Sequence, residues 1–466
     1  MQPQTVQETS LSEIQNLLEK QRNFFLQGRT LEYRFRLQQL KLLKQIIKAH
    51  ESEILEALKS DLNKAEFEGY ATEVGFTYEE LNHAISHLKS WMRPKTVWTP
   101  MTQFWAVSKI YPKPYGVSLI IAPWNYPFQL LFAPLIGAIS AGCTAILKSS
   151  ELAPATSAIA KKLITKYFQP EYVALVEGGV ETSQYLLQQK WDIIFFTGST
   201  QVGKIVMQAA AKHLTPVVLE LGGKSPCIVD ETAHLDFAAR RIVWGKLVNA
   251  GQTCVAPDYL LVHESIKQPL VQKIIENIKK SYGDDPAQSP DYPRIINEKH
   301  FIRLTNYLKD GNIIFGGQTN IETRYIAPTL LDNVNPESPV MQEEIFGPIL
   351  PILTYKNLQE AIDFINTRPK PLALYVYTNS SENERRVLNY TDSGGGCIND
   401  CLVHLAPQDL PFGGVGESGM GNYHGKASFD AFSHPRGILK KTNLFDIPIR
   451  YAPYLNKIKL LKYFMK

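Results

Sequence analysis

Three residues of this 466-residue chain have the type and setting to share one reaction. Cys254 stands in "GQTCVAPDY", after the helical run "AARRIVWGKLVNA". Gly251, a polar pair and Pro257 make a turn there in which a thiol can be exposed, and a thiolate is a strong nucleophile. Packing is the commoner fate of a lone cysteine. Glu220 closes "PVVLE" and precedes Gly222 and Gly223. Its apolar neighbours Val218, Leu219 and Leu221 would raise the carboxyl's pKa towards that of a useful general base. The plain alternative is a surface carboxylate. Asn125 lies between two prolines in "APWNYP", where a rigid backbone can aim its amide at a developing oxyanion, or where it can cap the following helix. Taken one at a time, these residues leave both readings open.

A fourth stretch, "DIIFFTGSTQVGKIV" (192–206), suits a phosphate. Gly198, Gly203 and Lys204 satisfy most of the triphosphate loop G-x-x-x-x-G-K-[ST]. The final hydroxyl of that loop holds Mg²⁺, and Ile205 stands in its place. "SPCIVDE" (225–231) would have to supply the acidic partner, and short apolar runs ending in Asp are common. A P-loop ATPase therefore lacks the metal ligand it needs. What remains is a strand-to-helix turn with Gly198, Ser199 and Thr200 at the start of a helix from about Val202. Free N–H groups there suit a pyrophosphate without metal, or simply make a capped turn.

The elements that must position these residues follow from periodicity. The first ninety or so residues read as helices, with Leu37, Leu40, Leu43 and Ile47 on one face and Ile54, Leu55, Leu58 and Leu62 on another. Residues 92–115, rich in proline and aromatics, read as a hairpin or strand-bearing arm. Apolar runs then alternate with helical patterns: "VSLIIA", "TAILK", "YVALVEG", "DIIFF" and "PVVLE" as strands, with helices after Tyr126, from about Pro154 and from Val202. Such alternation predicts an α/β fold with a doubly wound parallel sheet, whose ligands sit at the strands' carboxyl ends. Asn125, Lys148, Glu151, Gly198, Ser199 and Glu220 all follow strand ends. A second alternating series, with "YLLVHE", "PILPIL" and "LALYVYT" as strands, runs to about Phe432.

Composition excludes several classes. A net charge of +4 over this length, without a basic patch, implies no nucleic-acid partner. Five cysteines are odd and sparse, which fits a reducing, cytoplasmic setting better than a disulfide framework. The start, "MQPQTVQETS", lacks a signal-peptide layout. No charged residue occurs from Pro114 to Leu147, yet three prolines interrupt that stretch, which reads as a buried strand–loop–helix–strand unit rather than a membrane span.

"APWNYP", "FTGST" with "VGK", "LELGGKSP", "GQTC", "EEIFGP" and "PFGGVGESGMGNYHGK" occur in the order and spacing of the aldehyde dehydrogenase superfamily. The resemblance runs from about residue 20 to 440. "AAAKHLTPV", "RYIAPT", "SPVMQEEIFGPILP" and "FDAFSH" resemble its class 3 branch, which includes fatty aldehyde dehydrogenases. The resemblance implies NAD(P)-dependent oxidation of aldehydes, medium- to long-chain aliphatic or aromatic. Cys254 would be the nucleophile, Glu220 the general base, and Asn125 with the Cys254 N–H the oxyanion hole. Cofactor contacts would come from Lys148 and Glu151 at the adenosine ribose, Gly198 and Ser199 at the pyrophosphate, Glu344 at the nicotinamide ribose and Phe346 at the nicotinamide ring, with Trp124 and Gly203 also among the cofactor-binding residues. Glu151 should repel the 2′-phosphate of NADP⁺ and favour NAD⁺. One departure is Ser149, where the branch usually has Pro. A non-catalytic protein retaining the fold is the remaining alternative, and the complete set Cys254, Glu220 and Asn125 argues against it.

The expected division is a dinucleotide-binding domain from 1–91 and 116–221, a catalytic domain from 222–432, and a bridging arm from 92–115 and 433–446 that joins a homodimer. Residues 447–466 form a basic amphipathic tail, with Leu455, Ile458, Leu461 and Met465 at helical spacing among lysines. It is too short and charged to span a bilayer; it can cap a substrate tunnel, pack on a partner subunit or lie on a membrane surface. Cys397, Cys401 and His404 have a spacing that can touch a metal, but no fourth ligand is evident, so packing beside the substrate tunnel is expected and no metal is assigned.

Overall fold

A computed structural model describes residues 8–446, 448–455 and 457–464. Among the described residues, five α-helices lie before the arm, from Leu11–Leu26 to Gly75–Trp91. In Tyr33–Ala49 the expected stripe is realised: Leu40, Leu43 and Ile47 are buried.

The first large sheet has six strands, in the order Gly419–Met420, Val217–Glu220, Ile193–Thr197, Val117–Ile121, Thr144–Lys148 and Val173–Val176. The other five strands run parallel to one another; Gly419–Met420 pairs antiparallel with Glu220 and Leu219. Strand residues alternate between faces, and the sequence uses both. Ile120, Leu147, Ile193 and Phe195 join a core with the helices Gln129–Ala141 and Pro154–Tyr167. Leu119, Ile121, Ile146 and Ile194 join another with the helices Leu11–Leu26, Val180–Gln188 and Thr200–Ala211. Both faces being covered explains why the strands are nearly continuous apolar runs.

The second sheet has seven strands, Asn312–Phe315, Thr329–Asp332, Ile349–Tyr355, Tyr259–His263, Pro226–Val229, Ala373–Tyr377 and Gly395–Ile398 in spatial order. All are parallel except the first. The arm is a three-stranded antiparallel sheet of Lys95–Val97, Ala106–Pro114 and Ser433–Lys441. The doubly wound α/β class read from periodicity is therefore the observed one.

The charge-free stretch holds a wholly buried 13-residue helix, Gln129–Ala141, and among the described residues no helix is long and apolar enough to cross a membrane. The helix expected from Val202 begins two residues earlier, at Thr200, because the Ser199 hydroxyl accepts from the Val202 N–H and caps it. The tail forms a short helix, Ile458–Phe464, and Leu455, Ile458 and Leu461 are exposed on the single chain. Met465 lies outside the described residues.

Candidate active site

The nucleophile loop is built from backbone that few residues tolerate. After the helix Leu235–Leu247, Asn249, Ala250 and Gly251 all take left-handed φ of 53°, 51° and 75°. A Cβ at Gly251 would collide with the Gly347 carbonyl, so glycine is required there. Gln252 staples the loop: its Nε2 donates to the carbonyls of Asn249 and Arg294, each at 3.0 Å, and its Oε1 accepts from the Ile296 N–H at 3.0 Å. The Thr253 hydroxyl bonds the Tyr126 hydroxyl at 2.6 Å. Strain held by so many bonds is characteristic of a preorganised site. Cys254 follows, half-buried. Burial pushes its thiol pKa up, the Glu344 and Glu220 carboxyls add to that, and the backbone N–H groups of Cys254 and Val255 act in the opposite direction.

Asn125 is brought directly to that loop. Its Nδ2 donates to the Gln252 carbonyl at 3.0 Å, and its own carbonyl accepts from Asn249 Nδ2 at 2.8 Å. The helix-cap reading does not describe it. The N–H groups of Phe128 and Gln129 at the start of the following helix are bound instead by the Glu73 carboxylate, at 2.9 and 3.2 Å.

Glu220 ends its strand 2 % exposed, so the surface-carboxylate reading fails. Neither carboxyl oxygen has a hydrogen-bond partner among the described residues. Burial with no compensating cation pushes its pKa well above the usual carboxylate range.

Two cavities meet at these groups. One, of about 220 Å³, is an apolar chamber whose walls include Phe76, Leu130, Trp244, Val248, Leu402 and Phe412. The other, of about 570 Å³, is a mixed cleft along Trp124, Gly198, Ser199, Thr200, Glu344 and Phe346. Cys254 and Glu220 line both.

In the cleft, Gly198 and Ser199 sit where the strand Ile193–Thr197 meets its helix. Trp124 packs edge-on to Phe346 with ring centroids 5.3 Å apart, and Phe346 itself has φ of 53°. Glu344 lies against Gly222, where any Cβ would collide with its carboxylate. Burial pushes the Glu344 carboxyl up to about 8, with Asp258 adding to the effect and the Gly223 N–H, Lys224 and Arg303 opposing it. One of its oxygens, Oε1, is buried without a partner among the described residues. Lys148 and Glu151 stand at the end of the strand Thr144–Lys148, paired at 2.7 Å, and do not line this cleft. Ser149 bonds Ser157 at 2.5 Å.

Gly203 is not at the cleft. It is buried in the helix Thr200–Ala211, where a Cβ would come within 2.6 Å of Leu221 Cδ2, so close helix–strand packing accounts for it. Ile205 is 55 % exposed, Lys204 pairs with Glu417 at 3.3 Å, and Asp230 is consumed by Thr232 and Asn383. These three residues build no triphosphate-and-metal site.

Cys397 contacts His404 Nδ1 at 3.5 Å, Cys401 donates to the Arg241 carbonyl, and the adjoining Leu402, Val403 and Leu405 line the chamber. Among the described residues no group of three or more His, Cys, Asp or Glu is arranged to hold a metal.

Nothing local in the sequence singled out Lys64, Glu73 and Glu80, all buried charges, or Phe76 and Trp244 in the chamber. One periodic signal was present. Glu73, Thr77 and Glu80 share the inward face of one helical stretch with Ala84, and polar groups on an apolar face need partners.

The aldehyde dehydrogenase family model matches residues 3–438. A 4,4′-diaponeurosporen-aldehyde dehydrogenase of Staphylococcus aureus is 53 % identical over 445 residues, covering 95 % of this chain and 97 % of that one. Aldehyde dehydrogenase family 3 member A2 of Macaca fascicularis is 49 % identical over 425 residues, covering 91 % and 88 %. The solved substrate-bound state of Staphylococcus aureus AldH superposes with a TM-score of 0.96 at 51 % identity, covering 97 % and 99 %. The chain belongs to the aldehyde dehydrogenase family. It is an enzyme that oxidises aldehydes with NAD(P), and several of its relatives are members of family 3, the branch that the finer motifs resemble.

Proposed function

We propose that Cys254, Glu220 and Asn125 carry the oxidation of medium- to long-chain or aromatic aldehydes to carboxylic acids. The observation that carries this reading is the shared wall: Cys254 and Glu220 line both an apolar chamber and a mixed cleft, which places them where a substrate from one side would meet a cofactor from the other. An aldehyde enters the chamber and its carbonyl carbon is attacked by Cys254 Sγ as the thiolate, its proton having passed to solvent through the cleft. The resulting oxyanion of the hemithioacetal accepts hydrogen bonds from Asn125 Nδ2 and the Cys254 N–H. A nicotinamide held in the cleft beside Trp124 and Phe346 would supply the acceptor for the hydride on that carbon. The product on Cys254 is a thioester. Glu220 then removes a proton from water, the hydroxide attacks the thioester carbon, and the acid leaves with Cys254 restored.

The cleft's donor set fits a dinucleotide. The buried Glu344 Oε1, without a partner among the described residues, is an acceptor suited to a ribose hydroxyl. The start of the 12-residue helix Thr200–Ala211, at Gly198 and Ser199, suits a pyrophosphate. Trp124 and Phe346 offer faces to the nicotinamide, and the Lys148–Glu151 pair takes the adenosine ribose, with the carboxylate disfavouring a 2′-phosphate.

The same reading divides the chain as expected: 1–91 with 116–221 for the cofactor, 222–432 for catalysis, and 92–115 with 433–446 as an arm. Trp98, Met101, Phe104, Trp105 and Leu444 are exposed on or beside that arm, a patch that a second copy would cover in a homodimer. The exposed tail packs on that partner subunit, and flotation with anionic vesicles tests the membrane alternative. The five free cysteines support a reducing, cytoplasmic location.

Nicotinamide reduction measured across an aldehyde chain-length series, with NAD⁺ and with NADP⁺, tests the substrate class. kcat/KM should rise with chain length as the chamber fills. A maximum at acetaldehyde contradicts the class, and retained activity in Cys254→Ala contradicts the nucleophile.

A further inference from the structure

A buried ion pair holds the oxyanion donor from behind. Lys64 is 1 % exposed and Glu73 wholly buried, and Lys64 Nζ lies 2.5 Å from Glu73 Oε1. Neither residue lines the chamber or the cleft. Beyond the bond between them, both charges are spent on one short segment, residues 125–129. Lys64 Nζ donates to the Asn125 carbonyl at 3.1 Å and sits 4.0 Å over the Tyr126 ring. Glu73 Oε2 accepts from the N–H groups of Phe128 and Gln129. The cation thus grips the segment's beginning and the anion its end.

Two buried charges are costly to desolvate, and a stable core needs neither. Their retention on the backbone of Asn125 calls for a positional explanation. The Asn125 carbonyl is shared between Lys64 Nζ and Asn249 Nδ2, so the pair also bears on the strained loop leading to Cys254. Glu73 is placed by a single π-helical turn, Tyr70–Val74, an insertion common at functional sites. Ala71 and Thr72 of the same turn line the aldehyde chamber.

We propose that Lys64 and Glu73 are positioning residues for the oxyanion hole: they fix the peptide of Asn125 so that its amide meets the oxyanion formed at Cys254. They touch no substrate and act through Asn125. This rests on Asn125 being the oxyanion donor, as proposed above. A misplacement of about 1 Å in such a donor costs on the order of 100-fold in rate.

The test is a double-mutant cycle with two readouts: aldehyde oxidation, and cofactor-free hydrolysis of p-nitrophenyl acetate, whose acyl transfer to Cys254 passes through an oxyanion of the same kind. Lys64→Met removes the ammonium; Lys64→Met with Glu73→Gln removes both charges and strands neither. The expected result is a loss in kcat of about 10- to 100-fold in both reactions, little change in KM, and no further loss when Asn125 is already Ala. Full loss added on top of Asn125→Ala would overturn the proposal, since the pair would then act elsewhere. Unchanged rates in both charge variants would overturn it too, as would failure of both to fold, which would make the pair purely structural. Native rates in Asn125→Ala would instead defeat the oxyanion assignment itself.

Discussion

Cys254 and Glu220 line both cavities where they meet, the thiol on a strained loop and the carboxyl at a strand end without a hydrogen-bond partner among the described residues. An unpaired buried carboxyl is costly, and a carboxyl left free to take a proton from water is what thioester hydrolysis needs. Its elevated pKa has a consequence with a definite sign. The base works deprotonated, and burial raises the pKa, so the active fraction grows as pH rises through a midpoint well above the ordinary carboxylate range. Single-turnover release of acid from the acyl-enzyme should therefore accelerate with pH. The same measurement on Glu220→Gln should lose that dependence; a deacylation rate independent of pH in the native enzyme would contradict the assignment.

Asn125→Ala leaves Cys254 and its loop in place and removes one oxyanion donor. Aldehyde oxidation should fall about 100- to 1000-fold in kcat, with the dissociation constant for NAD⁺ unchanged by titration. A change confined to KM would mean that Asn125 binds substrate without stabilising the transition state.

How much of this was legible in the sequence differs from residue to residue. Cys254 and Glu220 stood out because their neighbours, a glycine turn and an apolar strand, are local. Asn125 remained ambiguous between a cap and an oxyanion donor. The group that resolves it, Glu73, comes from a helix fifty-odd residues earlier and binds the N–H groups that Asn125 would otherwise have capped. Lys64 and Trp244 were missed for the same reason: their roles exist only after distant elements pack. The parallel sheets were readable because strands covered on both faces are unmistakably apolar. Gly203 looked like part of a phosphate loop because a glycine needed for packing and one needed for a ligand are written identically.

Gly203→Ala accordingly tests packing. Its Cβ would press on Leu221, and the variant should lose about 1–3 kcal/mol of stability by denaturant unfolding. Its affinity for NAD⁺ should move far less than that. A large loss of affinity at native stability would return Gly203 to the cofactor site.

Glu151 is held by Lys148, which leaves its carboxylate where a ribose 2′-phosphate would be repelled under the assignment above. Glu151→Gln should improve kcat/KM with NADP⁺ several-fold and leave the value with NAD⁺ nearly unchanged. Equal native rates with the two cofactors would remove the basis for this selectivity.

The most direct measurement follows the carbon bound to Cys254. Glu220→Gln, mixed with excess NAD⁺ and a long-chain aldehyde, should release about one NADH per site in a burst and then turn over about 100- to 10,000-fold more slowly than the native enzyme. Mass spectrometry of the quenched protein should find an acyl group on the peptide containing Cys254. Native steady-state turnover in this variant, or a burst with Cys254 unmodified, would contradict the account.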